Sequence, residues 1–406
     1  MADTRQTISI ASQSGLNDLA DHLHRCKRFA FDTEFVSEDT YQPDLGLIQV
    51  ATSERLVIID PIAVPDLSPF WEAVTNPDLE VVMHAAGEDL RICHLQTGRL
   101  PTRVVDVQVA AGLVGFGYPG SLTSLLAQVL RVTVSGGETR TDWRKRPLSS
   151  GQLRYALDDV RYLLELADTI EERLDQLGRR AWAEEEYVEL LNTIAARDDA
   201  ERWRRLPGLG PLNRRSLEMA RLLWDWRRLE ARRVNRPVRQ VMRDDILIAI
   251  ARKQPTSRTD LEALRDFNRP NLLAHSKAIL SLIDQAREVP PDQLPDATER
   301  PDDAPGVAMV VNVLTAVLNR GCAQGKVSAG LVGSASDLRE MVRWYLGGSS
   351  VDQLPSLMQG WRGDVCGKLL LDVLSGNRSL RIVDPASDIP VELDRVAFDS
   401  RSNDSA

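Results

Sequence analysis

Apolar and polar positions follow two different patterns along this chain of 406 residues, and the pattern changes near residue 200. Before that point, short apolar runs typical of β-strands alternate with segments of helical periodicity. The runs at 45–51 and 55–61 are separated by Thr52–Glu54, which predicts a hairpin. A further short strand at 80–85 is followed at once by a helical segment. Hairpin strands followed by strand–helix alternation predict a mixed sheet flanked by helices.

Beyond residue 200 the chain shows only helical periodicity, so the α/β region should be followed by an all-α region. Five prolines between 287 and 305 indicate a linker inside that region. The predicted units are an α/β domain at 1–200, a helical domain at 208–286, the linker at 287–305, a second helical domain at 306–376 and a disordered tail at 385–406.

Composition narrows the class of protein further. Hydrophobic residues make up 43% of the chain and charged residues 27%, as in a soluble globular protein. The four cysteines are far apart and form no CxxC motif, which disfavours a disulfide framework or a zinc knot and fits a reducing compartment. The N-terminus lacks the apolar core of a signal peptide, and no run looks long and apolar enough to span a bilayer. We therefore expect a cytoplasmic protein without membrane contact.

Positive charge is concentrated in one stretch, although the whole chain carries a net charge of −9. Residues 201–243 contain thirteen arginines, four acids and no lysine, a local balance of 13 − 4 = +9. The planar guanidinium group suits phosphate binding and base stacking, which would indicate a nucleic-acid partner. A solvated helix surface is the alternative interpretation, and the charge pattern alone leaves both open.

Paired acids stand on an otherwise apolar strand at 28–35, RFAFDTEF. Asp32 and Glu34 are two residues apart, so their side chains leave the same face of the strand. Taken alone, such a pair is typical of a solvated or ion-paired face. The pair would form part of a site only if other acids of the chain lie close to it in the fold.

Three further residues are placed so that they could lie close to Asp32 and Glu34 in the fold. Asp89 stands near the start of a helix that follows a strand, where an acid is also favoured by the helix dipole. Tyr155 and Asp159 are four residues apart on a long amphipathic helix, so they share a face. Ser149 and Gln152 predict a capping box at the start of that helix.

Taken together, these residues form a set ordered D-x-E, D and Y-x3-D within one α/β unit. Converging carboxylates repel one another, and burying them without a counterion is costly. Divalent cations resolve the conflict, and oxygen ligands suit Mg²⁺ or Mn²⁺. Two such ions about 3.5–4 Å apart can clamp a phosphodiester for in-line attack. The set therefore predicts a metal-dependent phosphodiesterase.

These motifs resemble those of the ribonuclease D family, which are DEDD-type 3′-5′ exonucleases of the tyrosine subclass. FDTEFVSEDTYQPDLGLIQVA resembles the first exonuclease motif, HAAGEDL the second and TRTDWRKRPLSSGQLRYALDDVRYL the third with its upstream flank. Residues 208–286 resemble an HRDC domain, a helical nucleic-acid-binding module, but Asn235 stands where that module commonly has glycine. The segment 354–374 is similar to the C-terminal end of the family.

The resemblance implies a ribonuclease H-like exonuclease domain followed by two helical HRDC-like domains. It implies that Asp32, Glu34, Asp89 and Asp159 are the metal ligands for two Mg²⁺ or Mn²⁺ ions, and that Tyr155 orients the attacking water. It also implies an RNA substrate, with 3′-end maturation of tRNA precursors as the cellular task.

Two alternative functions compete with this one. A DNA exonuclease of the repair or proofreading type would use the same metal site, although the chain shows no polymerase or helicase motif. A non-catalytic RNA-binding protein could keep the fold, but all five motif residues are present here. Turnover on matched RNA and DNA strands would separate these functions.

Overall fold

A six-stranded mixed sheet forms the centre of the N-terminal half in this computed structural model, which describes residues 5–134, 137, 141–196, 200–297 and 303–396. The strand order is β1-β4-β3-β2-β5-β6; β3 runs antiparallel to β2 and β4, and the other pairs are parallel. The predicted hairpin between β3 and β4 and the mixed sheet are confirmed. The strands are β1 (Gln6–Ile10), β2 (Arg28–Val36), β3 (Asp44–Ala51), β4 (Arg55–Ile59), β5 (Glu80–Met83) and β6 (Val104–Asp106).

Helices cover both faces of this sheet, as predicted. On one face Phe29 and Phe31 of β2 are fully buried, and Phe31 meets Phe70 edge to face with ring centroids 5.6 Å apart. On the other face Ala30 joins a second core. The helices are α1 (Gln13–Arg25), α2 (Ser68–Val74), α3 (Gly87–Thr97), α4 (Val107–Leu113), α5 (Leu122–Leu125), α6 (Ser150–Arg161), α7 (Leu163–Gln176) and α8 (Arg180–Ala195).

The following helical region has a hydrophobic core of its own. Trp203, Leu217 and Phe267 are fully buried within it. Ser257 and Asp260 form a capping box at the start of one of its helices. Six helices build the region: α9 (Arg214–Arg233), α10 (Val238–Val241), α11 (Asp244–Lys253), α12 (Arg258–Glu262), α13 (Pro270–Ala274) and α14 (Ser276–Glu288).

The second helical region packs directly on the α/β domain and shares its core. Leu314, Leu331 and Leu370 belong to the same hydrophobic cluster as Ala30 and Leu113. Its helices are α15 (Val307–Gly325), α16 (Ala329–Val332), α17 (Ala335–Leu346), α18 (Gly360–Arg362) and α19 (Lys368–Leu374). The two helical regions therefore differ: one has a separate core, and the other completes the core of the α/β domain.

Polar and aromatic contacts reinforce this shared packing. The guanidinium of Arg362 binds both carboxylate oxygens of Glu186, at 2.5 and 2.9 Å. The rings of Trp182 and Trp361 stack with centroids 5.3 Å apart. A two-point ion pair and stacked indoles add geometric specificity to the apolar burial.

A β-hairpin follows α19 and corrects two expectations from the sequence. Residues 378–395 contain β7 (Arg378–Ile382) and β8 (Val391–Arg395), which pair antiparallel, whereas the sequence predicts no strand after residue 200 and a disordered tail from 385. Leu393 is buried in the shared core, and Arg320 of α15 donates to the Val391 carbonyl at 2.9 Å. The remainder of the predicted tail, 397–406, lies outside the described residues.

Helix α15 also corrects the expectation that no segment is apolar and long enough to span a bilayer, since it meets that test by length and composition. In this structure its apolar side chains Val311, Leu314 and Leu318 are buried against the rest of the protein. Met309 and Val313 of the same helix are exposed, so the shared core accounts for only part of its apolar character.

Candidate active site

Strand β2 presents the first two acids on the face covered by α6. Asp32 lies opposite Gln49 of β3, and Glu34 lies opposite Leu47. Beyond Glu34 the register shifts, so that Phe35 lies opposite Leu45 and the pairing skips one residue of β3. This irregularity falls directly beside the paired acids, at a place where bulges commonly re-aim side chains.

Helix α6 brings the third acid across the sheet. The predicted capping box is present: the Ser149 hydroxyl accepts from the Gln152 amide at 3.1 Å, and the Gln152 side chain accepts from the Ser149 amide at 2.9 Å. With the helix start fixed, Asp159 faces β2. One carboxylate oxygen each from Asp32, Glu34 and Asp159 lies within 4.8 Å of the other two. Residues 127 positions apart therefore meet at one point.

Asp89 lies beside this group but outside it. It is buried in the first turn of α3, and its Oδ1 accepts hydrogen bonds from the Thr33 amide at 3.0 Å and from the Thr33 hydroxyl. Thr33 stands between the two acids of β2, so this contact fixes Asp89 to the strand that carries them. Among neighbouring charges, Asp89 contributes most to raising the pKa of Asp32.

The start of α3 is itself held by Asp106. That buried carboxylate accepts from the amides of Ala85 at 3.1 Å and Ala86 at 2.9 Å. Ala85 adopts a left-handed conformation with φ of 56°, which an alanine rarely occupies without such support. Asp106 thus positions the turn that delivers Asp89.

Electrostatic repulsion and burial shape the pKa values of all four acids. Burial, with repulsion from Asp159 and Asp89, raises the pKa of Glu34 to about 8. Burial raises the pKa of Asp89 to about 7 and that of Asp159 to about 7, although hydrogen bonds from Thr33 and Tyr155 oppose the shifts. The pKa of Asp32 is also raised well above its usual range, chiefly by burial. Such a cluster favours cation binding, because a cation removes the cost of ionising it.

Tyr155 stands next to this cluster, one helical turn before Asp159. Its hydroxyl hydrogen-bonds the Asp159 carboxylate, and its ring packs against Trp143 with centroids 6.2 Å apart. The structure therefore brings all five predicted residues to one end of β2, with three acids converging, Asp89 alongside and Tyr155 bonded to Asp159.

A segment before α6 contributes residues that the sequence analysis missed. Trp143 is almost completely buried under α6, and Arg146 ties the segment to the sheet. Arg146 binds the Asp60 carboxylate at 2.6 and 2.7 Å, and it donates to the carbonyls of Gly46 and Trp143, both at 2.8 Å. The run WRKRP offers a signal, namely a tryptophan and an arginine just before the capping box, but the partners of both lie far away in sequence.

Comparison with protein families agrees with this fold. A family model described as a 3′-5′ exonuclease matches residues 7–175, and a model of the HRDC domain matches residues 216–283. The mixed sheet, the carboxylate cluster and the HRDC region define a 3′-5′ exonuclease of the DEDD type, a fold that works with divalent metal ions.

Known relatives make the assignment more specific. Ribonuclease D of Serratia proteamaculans is 32% identical over 90% of this chain and 98% of its own length, and ribonuclease D of Pseudomonas paraeruginosa is 34% identical over 88% and 96%. The crystal structure of Escherichia coli RNase D has a TM-score of 0.80 at 30% identity, covering 92% of this chain and 99% of that one. The chain belongs to the ribonuclease D family and is a 3′-5′ exoribonuclease.

Proposed function

We propose that this exoribonuclease removes 3′-terminal nucleotides from tRNA precursors and that it works with two divalent ions, Mg²⁺ or Mn²⁺. The observation that carries the proposal is the meeting of Asp32, Glu34 and Asp159, whose ligand oxygens lie within 4.8 Å of one another. These are hard oxygen donors, they repel one another, and their pKa values are raised, so the donor set fits Mg²⁺ or Mn²⁺.

Asp32, Glu34, Asp89 and Asp159 would hold the ions in this proposal. Thr33 occupies Oδ1 of Asp89, so Oδ2 is the candidate ligand oxygen of that residue. Bound divalent ions would activate the attacking water and stabilise the leaving 3′ oxygen. The hydrolysis adds water across the last phosphodiester, releasing a nucleoside 5′-monophosphate and an RNA one nucleotide shorter with a new 3′ hydroxyl.

Tyr155 would place the water for this attack. A phenol with a pKa near 10 is a weak general base at neutral pH, so positioning is the role that its chemistry supports. Its hydroxyl already hydrogen-bonds Asp159, and its ring rests on the buried Trp143, so its orientation is restricted. A fixed donor beside the ligands lowers the entropy lost in aligning water with phosphorus.

The choice of tRNA precursors and of the cytoplasm rests on indirect support. The similar Escherichia coli RNase D is described as an exoribonuclease involved in structured RNA processing, and tRNA precursors are structured RNAs with 3′ trailers. The cysteines Cys26, Cys93, Cys322 and Cys366 are all unpaired thiols, which suits a reducing compartment.

The test uses a tRNA precursor with a 3′ trailer, labelled at its 5′ end and incubated with the pure protein and Mg²⁺. We expect a ladder of shortening products that keep the label, no reaction in EDTA, and no reaction when the 3′ end carries a phosphate. A DNA strand of the trailer sequence serves as comparison. Rapid internal cuts in a circular RNA, or faster turnover of the DNA strand, would contradict the proposal.

A further inference from the structure

Many arginines of the stretch at 201–243 already have partners within the protein. Arg214 donates to the carbonyls of Leu294 and Pro295, and Arg215 donates to that of Ala286. Other arginines pair with carboxylates, several of them three residues away on the same helix. The pairs are Arg204–Glu201, Arg221–Glu218, Arg227–Asp244, Arg233–Glu230 and Arg243–Asp245.

Three other arginines of the stretch line one cavity, together with Arg91 of the exonuclease domain. This cavity of about 630 Å³ lies between the β2–β3 loop, α3 and α9, and we call it the interdomain groove. The aromatic side chains Tyr41 and Trp224 also line it. Among the described residues, no acidic side chain lines the cavity. The arginines that line it are Arg91, Arg202, Arg228 and Arg232.

Both walls of the interdomain groove are fixed to each other. The Tyr41 amide donates to the Asn235 side chain at 3.2 Å, and Arg236 and Gln240 donate to carbonyls of the β2–β3 loop, both at 3.4 Å. Asn235, which replaces the glycine common in HRDC domains, adopts a left-handed conformation with φ of 47°. The departure from the HRDC pattern is therefore a residue that joins the two domains.

The interdomain groove also lies close to the catalytic strand. Ser37, which lines it, follows Glu34 by three residues, so the extended chain between them spans at most about 10 Å. Arg91 and His94 lie on α3, the helix that carries Asp89 in its first turn. A strand of RNA leaving the active site would reach the groove within a few nucleotides.

We infer that the interdomain groove binds the single-stranded RNA just upstream of the 3′ end, an inference that rests on the proposed function. Arginine forks suit phosphate oxygens, and aromatic faces such as those of Tyr41 and Trp224 accept stacked bases, the combination used by single-strand binding grooves. The volume suits about one or two nucleotides. An RNA segment also fits the charge, because four arginines line the groove in a protein of net charge −9, although one of them, Arg91, is paired with Glu88 at 3.2 Å.

The test compares one variant from each wall, Arg91→Gln and Arg232→Gln, with the control Arg252→Gln. Arg252 is an exposed arginine of α11, in the same domain as Arg232 but away from the groove. Each protein degrades a 5′-labelled single-stranded RNA of about 20 nucleotides and a dinucleotide that ends within the active site. Thermal melting of each variant verifies that the fold is intact.

We expect each groove variant to raise KM for the long RNA about three- to tenfold, with kcat and dinucleotide turnover unchanged. The slope of log KM against log salt should fall by about 0.7 for each phosphate group that the variant no longer binds. Arg252→Gln should match the unmodified protein.

Three results would overturn the inference. Unchanged KM values would mean that the groove holds something other than RNA, such as a partner protein. An equal rise of KM on the dinucleotide would place the effect in the active site, and an equal effect of Arg252→Gln would make it one of overall charge. A protein that degrades neither RNA would instead refute the proposed function, so the two failures can be told apart.

Discussion

The four acids of the site are stabilised unequally by their neighbours. Asp89 receives two hydrogen bonds from Thr33, and Asp159 receives one from Tyr155. Glu34 shows only influences that raise its pKa, which reaches about 8. At neutral pH without a cation, Glu34 therefore readily keeps a proton, as does Asp32, whose pKa is raised well above its usual range chiefly by burial, and binding of a cation should release protons from the cluster.

The first prediction concerns stability against pH without metal. The folded pKa values of Glu34 and Asp159, about 8 and about 7, exceed their ordinary values near 4, so the folded protein binds more protons in between. Stability from these groups is complete below about pH 4 and is lost as pH rises through 8, by an order of a few kcal/mol. Melting temperature in EDTA should fall over this range, and millimolar Mg²⁺ should remove the fall.

Asp159→Asn is the matched variant for this measurement. It keeps the volume of the side chain and removes one negative charge, so its melting temperature in EDTA at pH 8 should equal or exceed that of the unmodified protein. The cleavage rate should drop more than about 100-fold, because loss of a direct metal ligand lowers activity more than loss of a residue that only hydrogen-bonds a ligand. A pH slope in EDTA identical to that of the unmodified protein would show that the cluster does not control it.

A second prediction at this scale concerns Tyr155→Phe. The variant loses the hydroxyl and should lower kcat about 10- to 100-fold, with KM and metal affinity little changed. Because the hydroxyl also opposes the raised pKa of Asp159, its loss should move the acidic limb of the rate profile to higher pH. A normal kcat with a raised KM would make Tyr155 a substrate contact instead.

At the scale of elements, the position of α6 depends on the irregular pairing between β2 and β3. A Cβ at Gly46 would lie 2.6 Å from the Trp143 Cβ, so only glycine permits this close approach. Trp143 in turn packs against the Tyr155 ring. The chain of contacts runs from the sheet, through one glycine and one tryptophan, to the helix that carries Tyr155 and Asp159.

We predict that Gly46→Ala displaces Trp143 and the start of α6 with it. The overpacked site should cost about 1–3 kcal/mol in the free energy of unfolding, and kcat should fall about tenfold as Tyr155 and Asp159 shift. Gly117→Ala is the control, because a Cβ at Gly117 meets nothing within 4 Å. Denaturant unfolding and steady-state rates test both variants, and equal behaviour of the two would refute the role of Gly46.

The comparison of sequence with structure is also clearest at this scale. The spacings within one element, two residues on β2 and four on α6, predicted which side chains share a face, because the helix and strand periods are fixed. The pairing of Arg146 with Asp60 was not predicted, since it depends on the packing of segments 86 residues apart. The local arginine pairs, such as Arg221 with Glu218, did carry a sequence signal, the three-residue helical spacing.

At the scale of the whole molecule, the chain forms the exonuclease domain first and the HRDC region second. Its last helical region then packs back on the exonuclease domain. Ser328 donates to the Gly112 carbonyl at 2.8 Å, and Arg179 donates to the carbonyls of Leu113 at 2.6 Å and Lys326 at 2.9 Å. The HRDC region buries Trp203 and Phe267 in a separate core. The sequence order of three regions thus corresponds to two hydrophobic units.

The fourth prediction follows from this arrangement. A chain ending at residue 297 loses every partner that α15–α19 provide, so the apolar faces of α4 and α8 that they cover are exposed. We expect its exonuclease melting transition to fall by more than about 10 °C or to lose cooperativity. The isolated segment 200–297 should unfold in one cooperative transition of its own. Calorimetry of the full chain, the chain ending at residue 297 and the segment 200–297 tests this prediction. An unchanged exonuclease transition would show that the shared core is dispensable.

The shared core has a consequence for the nuclease during its own synthesis. A ribosome releases the chain from the N-terminus, so all five candidate catalytic residues emerge long before Leu331 and Leu370 can join them in one core. Until α19 leaves the exit tunnel, the domain that cleaves RNA is incomplete. We therefore expect the nuclease to reach its working form only after α19 has emerged from the exit tunnel and joined the shared core.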